Sequence, residues 1–146
     1  MIQHANLRDI LQLPSGPLKE LFISPHDKFR TMNCRTVECS FEYLPLTPYT
    51  QAFAESICAY LNKKFVDGRI HKFDADDFCA VHEDTAYPYS HTIIVCLDKD
   101  EDDRLVINDT IVREYEGSVY VMPPLTSHGI AKGKSSRISF IIWANQ

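Results

Sequence analysis

The stretch EYEGSVYVMPPLTSHGIAKGKSSRISFIIW, residues 114–143, decides the fold. Glu116-Gly117 is a turn signal, and residues 118–122 after it are rich in β-branched and aromatic side chains. Pro123-Pro124 ends that run, residues 127–131 resume it, and Lys132-Gly133-Lys134 turns the chain again. Residues 136–143 then alternate. Ile138, Phe140 and Ile142 share one face, and Arg137, Ser139 and Ile141 share the other. A period of two between punctuating turns is the mark of consecutive strands. If the Arg137 face lines an interior, that guanidinium needs an anionic partner, because burying it alone is costly.

The same texture extends backwards. Segments 69–73, 78–82, 91–97, 104–108 and 110–115 are short and strand-like, with turns predicted at Asp98–Asp103 and Asn108-Asp109. Many short strands at close spacing predict a sandwich or barrel. The first half differs. Thr47-Pro48 offers a capping hydroxyl and a proline at the first helical position, and Tyr49 to Phe65 carries an apolar stripe that predicts a helix stopped by Gly68. Residues 2–13 have the spacing of a short helix ended by Pro14 and Gly16, and 17–31 read as loop. Residues 33–44 read as one strand, with Val37, Cys39, Phe41 and Tyr43 on one face. The reading is a mostly β fold with N-terminal helices, in one domain over 1–146. Residues 1–69 form helical and strand support and 70–144 form the β core.

Composition sets bounds on function. The chain has 146 residues, 45% hydrophobic and 24% charged, with a net charge of −5. An acidic balance disfavours a partner gripped through its phosphates, so nucleic acid is not expected. No run approaches the length of a membrane span, and the N-terminus lacks a signal-peptide core. No membrane association is expected, and the expected location is cytoplasmic. Five cysteines, at 34, 39, 58, 79 and 96, form no C-x-x-C pair, so neither a disulfide framework nor a cysteine zinc site is expected.

Three residue sets carry chemistry. In an extended chain, residues two apart project to one face, so His82 and Asp84 can offer a nitrogen and an oxygen to one point. His128 follows the Pro-Pro turn, and Arg137 lies nine residues beyond it. Two imidazoles and one carboxylate form a facial triad that leaves three positions open, a set suited to iron(II). Such a site is net positive and attracts a dianion. Arg137 could clamp a far carboxylate through two parallel hydrogen bonds, with Ser139 adding a third. The open positions could take a 2-oxo acid and dioxygen. The other histidines have blander readings. His4, His26 and His71 read as solvated or capping, and His91 as structural or substrate-adjacent. Tyr87 and Tyr89 read as a packed loop, with substrate stacking as the second reading.

Taken together, KFDADDFCAVHEDT (72–85), LDKDED (97–102) and residues 114–143 resemble the iron(II)/2-oxoglutarate-dependent dioxygenases, in their prolyl-hydroxylase-like branch. The resemblance covers about 70–144 and implies a double-stranded β-helix (jelly-roll) core. It implies His82, Asp84 and His128 as iron ligands and catalytic centre, with Arg137 as partner of the distal carboxylate of 2-oxoglutarate. It implies a hydroxylase that couples oxidative decarboxylation of 2-oxoglutarate to oxidation of a substrate C–H bond. By the same analogy the substrate is a peptide or protein, prolyl in type, with a small molecule as the alternative. The chain departs from the family at Phe73, where a tyrosine is frequent, at Asp76, where a glycine is frequent, at Cys96, and at Arg104-Leu105. The competing reading is a non-catalytic, cupin-like metal-binding β-barrel.

Overall fold

The alternating segment at the C-terminal end forms a nine-residue strand, paired on both sides, in a computed structural model that describes residues 2–84, 89–99 and 101–146. The chain runs β1 (Gln3–Asn6), α1 (Leu7–Ile10), α2 (Leu18–Phe22), β2 (Arg30–Thr31), β3 (Cys39–Ser40), β4 (Glu42–Pro45) and α3 (Pro48–Tyr60). It continues through β5 (Lys64–Phe73), β6 (Phe78–Glu83), β7 (His91–Asp98), β8 (Leu105–Ile107), β9 (Thr110–Ile111), β10 (Ser118–Met122), β11 (Ser127–Ile130) and β12 (Arg137–Asn145). A seven-stranded sheet has the order β1-β10-β7-β12-β5-β4-β2, and a five-stranded sheet the order β3-β6-β11-β8-β9. Every pairing is antiparallel. The fold is mostly β, and the two sheets form a double-stranded β-helix.

Side-chain parity sorts the two cores. Along β12, Phe140, Ile142 and Ala144 join a cluster with Leu7, Leu18, Phe22, Ala54 and Ile57, so this face of the large sheet is covered by the helices. Ile141 and Trp143 point the other way and pack with Phe73, Ile94, Leu105, Ile107 and Ile130 of both sheets. Strand β7 is buried from His91 through Leu97, as a strand covered on both faces must be. Arg104 is fully buried beneath this interior and donates to the carbonyls of Asp74, Asp77, Ala131 and Ser135. It is a strut across three loops.

Several local expectations are corrected. Residues 2–13 do not form one helix. Gln3–Asn6 is extended and pairs with Ser118–Val121, because the edge of β10 offers backbone partners that a short isolated helix cannot match. The single strand expected over 33–44 is two short ones that divide at Phe41, β3 joining the small sheet and β4 the large one. The cap at Thr47 is as read: its hydroxyl accepts from Thr50 N, and Thr50 Oγ1 accepts from Thr47 N in return. The helix, however, ends at Tyr60, with Asn62 in the left-handed region at φ 59°. Gly68 is not its stop. It lies inside β5, where a Cβ would sit 2.7 Å from the Ile141 carbonyl oxygen. The extended stretch predicted over 110–115 is only Thr110–Ile111. Asn108 and Asp109 both have positive φ, 50° and 64°, which fits the tight hairpin turn between β8 and β9. Finally, Cys34 and Cys39 are paired as a disulfide, with Cα atoms 6.0 Å apart, where none was expected.

Candidate metal centre

His82 lies near the end of β6, and His128 lies on β11 directly opposite it in the antiparallel register. Their ring centroids are 4.5 Å apart. Asp84 follows the last residue of β6 and turns its carboxylate between them. His82 Nε2 is 3.3 Å from Asp84 Oδ1, and His128 Nε2 is 3.2 Å from Asp84 Oδ2. One ligand atom from each of the three residues lies within 4.8 Å of the other two. The side chains predicted to converge therefore do so.

The surroundings set the protonation of each group. His82 Nδ1 lies 2.8 Å from the Ala80 carbonyl, and His128 Nδ1 lies 2.9 Å from the Thr126 carbonyl. A carbonyl can only accept, so each Nδ1 donates to its carbonyl and each Nε2 is turned to the Asp84 carboxylate. With Nδ1 held this way, loss of the Nε2 proton to an incoming cation leaves the tautomer a metal-binding histidine needs. Thr92, from β7 of the opposite sheet, donates to Asp84 Oδ2 at 2.9 Å. Burial works to raise the Asp84 pKa, but the bonds from His128, His82 and Thr92 outweigh it and hold the carboxyl well below the usual carboxylate range. The hydrogen bond to Asp84 in turn raises the His82 pKa.

Backbone geometry brings β6 and β11 this close. Gly129 follows His128, and a Cβ there would lie 2.7 Å from the Cys79 carbonyl oxygen and 3.0 Å from Val81 Cα. The register slips between His128 and Ile130 at the same place.

The three residues open on a cavity of about 80 Å³, whose wall includes His71, Phe73, Thr92, Ser139 and Trp143. Three of these wall residues hold buried polar atoms with no partner among the described residues: His71 Nε2, Ser139 Oγ and Trp143 Nε1. Such atoms are costly unless something fills the space they face. The expectation of a solvated or capping His71 is corrected. It pairs with Ser139 in the ladder and turns its Nε2 into the cavity wall. Burial, with Arg69 and Arg137 nearby, pushes its pKa down to about 3, so the ring is neutral.

Arg137 is buried, on the same face of β12 as Ser139 and opposite Phe73. Its two terminal nitrogens are held by the two carboxylate oxygens of Glu114, Nη1 to Oε1 and Nη2 to Oε2, and its Nε has no partner. The guanidinium does not line the cavity. Sequence reasoning missed Glu114, Thr92 and Trp143 as site residues. Trp143 had a signal, since it shares the parity of Arg137 and Ser139. The other two had none, because their partners lie 23 and 8 residues away.

Outside the cavity, His91 is buried and its Nδ1 lies 2.8 Å from Ser90 Oγ. Tyr89 lies against Trp143 with ring centroids 5.5 Å apart, and Arg69 sits 6.0 Å from the Trp143 ring. Tyr87 lies outside the described residues. Arg69, Tyr89 and Trp143 border another groove, of about 410 Å³, which shares Trp143 with the metal cavity.

No family model matches the chain, and no curated protein matches it. Solved structures do. A 2OG-Fe(II) oxygenase-family protein from Burkholderia pseudomallei aligns with a TM-score of 0.65 at 11% identity, over 81% of this chain and 72% of that one. The viral collagen prolyl hydroxylase of Paramecium bursaria Chlorella virus-1 gives 0.59 at 15% identity, over 71% and 77%. A cupin 2 conserved barrel protein from Rhodopseudomonas palustris gives 0.51 at 12%, over 81% and 70%. At such identities the likeness is one of fold, and the resemblance read in residues 70–144 is matched by a backbone shared with 2OG-Fe(II) oxygenases, prolyl hydroxylases among them.

Proposed function

We propose that this chain is an iron(II)- and 2-oxoglutarate-dependent dioxygenase that hydroxylates a C–H bond of a peptidyl, prolyl-type substrate. The observation that supports it best is the convergence of His82, Asp84 and His128, with both imidazoles oriented by backbone carbonyls so that Nε2 faces the shared point. Once the Nε2 protons are released, two imidazole nitrogens and one carboxylate oxygen suit iron(II), and these three residues would hold it. Bound there, iron supplies the activation of dioxygen that no side chain can perform.

The remaining roles belong to the chain. Thr92 holds the Asp84 carboxylate in place. The cavity walls, Phe73 and Ile94 among them, exclude water. The Arg137 guanidinium and the unpartnered Ser139 Oγ lie two residues apart on one strand face, a set that fits a carboxylate. They would receive the distal end of 2-oxoglutarate. On the substrate side, a prolyl ring is rigid and apolar, and the Tyr89 and Trp143 rings offer it flat faces. Trp143 Nε1 is a free donor for a peptide carbonyl.

The test is an anaerobic titration. Iron(II) and 2-oxoglutarate added together to the wild-type protein should give a weak visible absorption band, and the His128→Ala protein should give none. Absence of the band in both proteins would favour the second reading, a cupin-like metal-binding barrel without oxidase chemistry, which the fold shared with the cupin 2 protein supports.

A further inference from the structure

We propose that Glu114 sets cosubstrate affinity, and that 2-oxoglutarate binds by displacing the Glu114 carboxylate from Arg137. The inference rests on the cosubstrate reading above and deepens it. Arg137 and Glu114 are each 1% exposed. Glu114 takes both terminal nitrogens of the guanidinium, an edge that grips a carboxylate with two bonds, and leaves only Nε unpartnered among the described residues. A carboxylate already sits where the distal carboxylate of a diacid would dock.

The cavity agrees. Its volume of about 80 Å³ ends before Arg137. A diacid that spans from the metal residues to Arg137 needs space at the guanidinium that this cavity does not reach. Docking therefore requires the Arg137 end to open, and only one partner of the pair can yield. Arg137 starts β12, which is paired on both sides by β5 and β7. Glu114 lies in the irregular stretch between β9 and β10, and its backbone N is held by the Asp103 side chain at 3.2 Å. Exchanging one carboxylate for another keeps the buried guanidinium compensated, and the displaced Glu114 side chain must swing out to water to escape the same cost. It follows that the second carboxylate of the diacid contributes little net affinity, because its bonds to the guanidinium replace those of Glu114 and only Ser139 Oγ would add a new one.

The probe pair is 2-oxoglutarate and 2-oxobutyrate, which share the 2-oxo acid end and differ in the second carboxylate. Each is titrated anaerobically into the iron(II)-loaded protein by calorimetry, with the melting shift as a second readout. Wild type should bind the two acids within about tenfold of each other. Glu114→Gln should tighten 2-oxoglutarate by about tenfold or more and leave 2-oxobutyrate within about twofold. A wild-type preference for 2-oxoglutarate of about a hundredfold overturns the proposal, as does a variant that shifts both acids equally, the mark of a merely structural glutamate. If Glu114→Gln does not fold, Glu114→Asp, which keeps the charge and withdraws it by one methylene, should show a smaller gain in the same direction. The wild-type ratio needs no variant and decides alone. If iron binds and neither acid does, the cosubstrate reading itself fails. If both bind and only the Glu114 effect is missing, this proposal alone fails.

Discussion

Replacing Thr92 by valine removes one hydroxyl and almost no volume. That hydroxyl donates to Asp84 Oδ2 at 2.9 Å, and Thr92 is 5% exposed, so water cannot easily take its place. The backbone should not move, because Thr92 is paired with Met122 on one side and Trp143 on the other. The change therefore isolates one hydrogen bond to a charged acceptor, worth about 1.5–3 kcal/mol. Asp84 would lose the contact that orients it from the opposite sheet while keeping the two imidazoles. Loss of an orienting partner behind a metal ligand typically costs about 10- to 100-fold in affinity, which is the same energy range. Anaerobic competition of the protein against a chromophoric chelator for iron(II) or cobalt(II) measures this directly. Thr92→Val should bind about tenfold more weakly or worse. Thr92→Ser, which keeps the hydroxyl, should recover most of the loss. A folded Thr92→Val protein that binds metal within about twofold of wild type would refute the role given to this bond.

Gly129→Ala should destabilise the protein by about 1–3 kcal/mol in urea and weaken metal binding, because the new Cβ meets the β6 backbone and pushes His128 away from His82. His71 makes stability depend on pH. Its folded pKa, about 3, lies below its ordinary 6.5, so between those values the unfolded chain binds the extra proton. The His71 contribution should be complete above about pH 6.5 and fade as pH falls toward 3, and the urea midpoint of His71→Asn should lack that part of the slope. Trp143→Phe keeps a ring and removes the unpartnered Nε1 donor. It should raise KM for a prolyl peptide while leaving the metal affinity unchanged, and an unaltered KM would remove Trp143 from the substrate path.

The sequence by itself determined what is local. Alternation placed Ser139 and Ile141 on one face of the last strand and Phe140 and Ile142 on the other, because strand parity needs only neighbouring residues. H-x-D presented His82 and Asp84 together for the same reason, and Thr47-Pro48 marked the start of α3 through a cap that spans one turn. Only the tertiary structure decided the rest. Gln3–Asn6 became a strand because β10 lay beside it, and α3 stopped at Tyr60 because the next residues were needed to pair with β12. Thr92 reached Asp84, and Glu114 reached Arg137, across gaps that no local period encodes. A side chain's face is fixed by its own backbone, but its partner is fixed by which strands lie adjacent in space, and that depends on the whole chain closing at once.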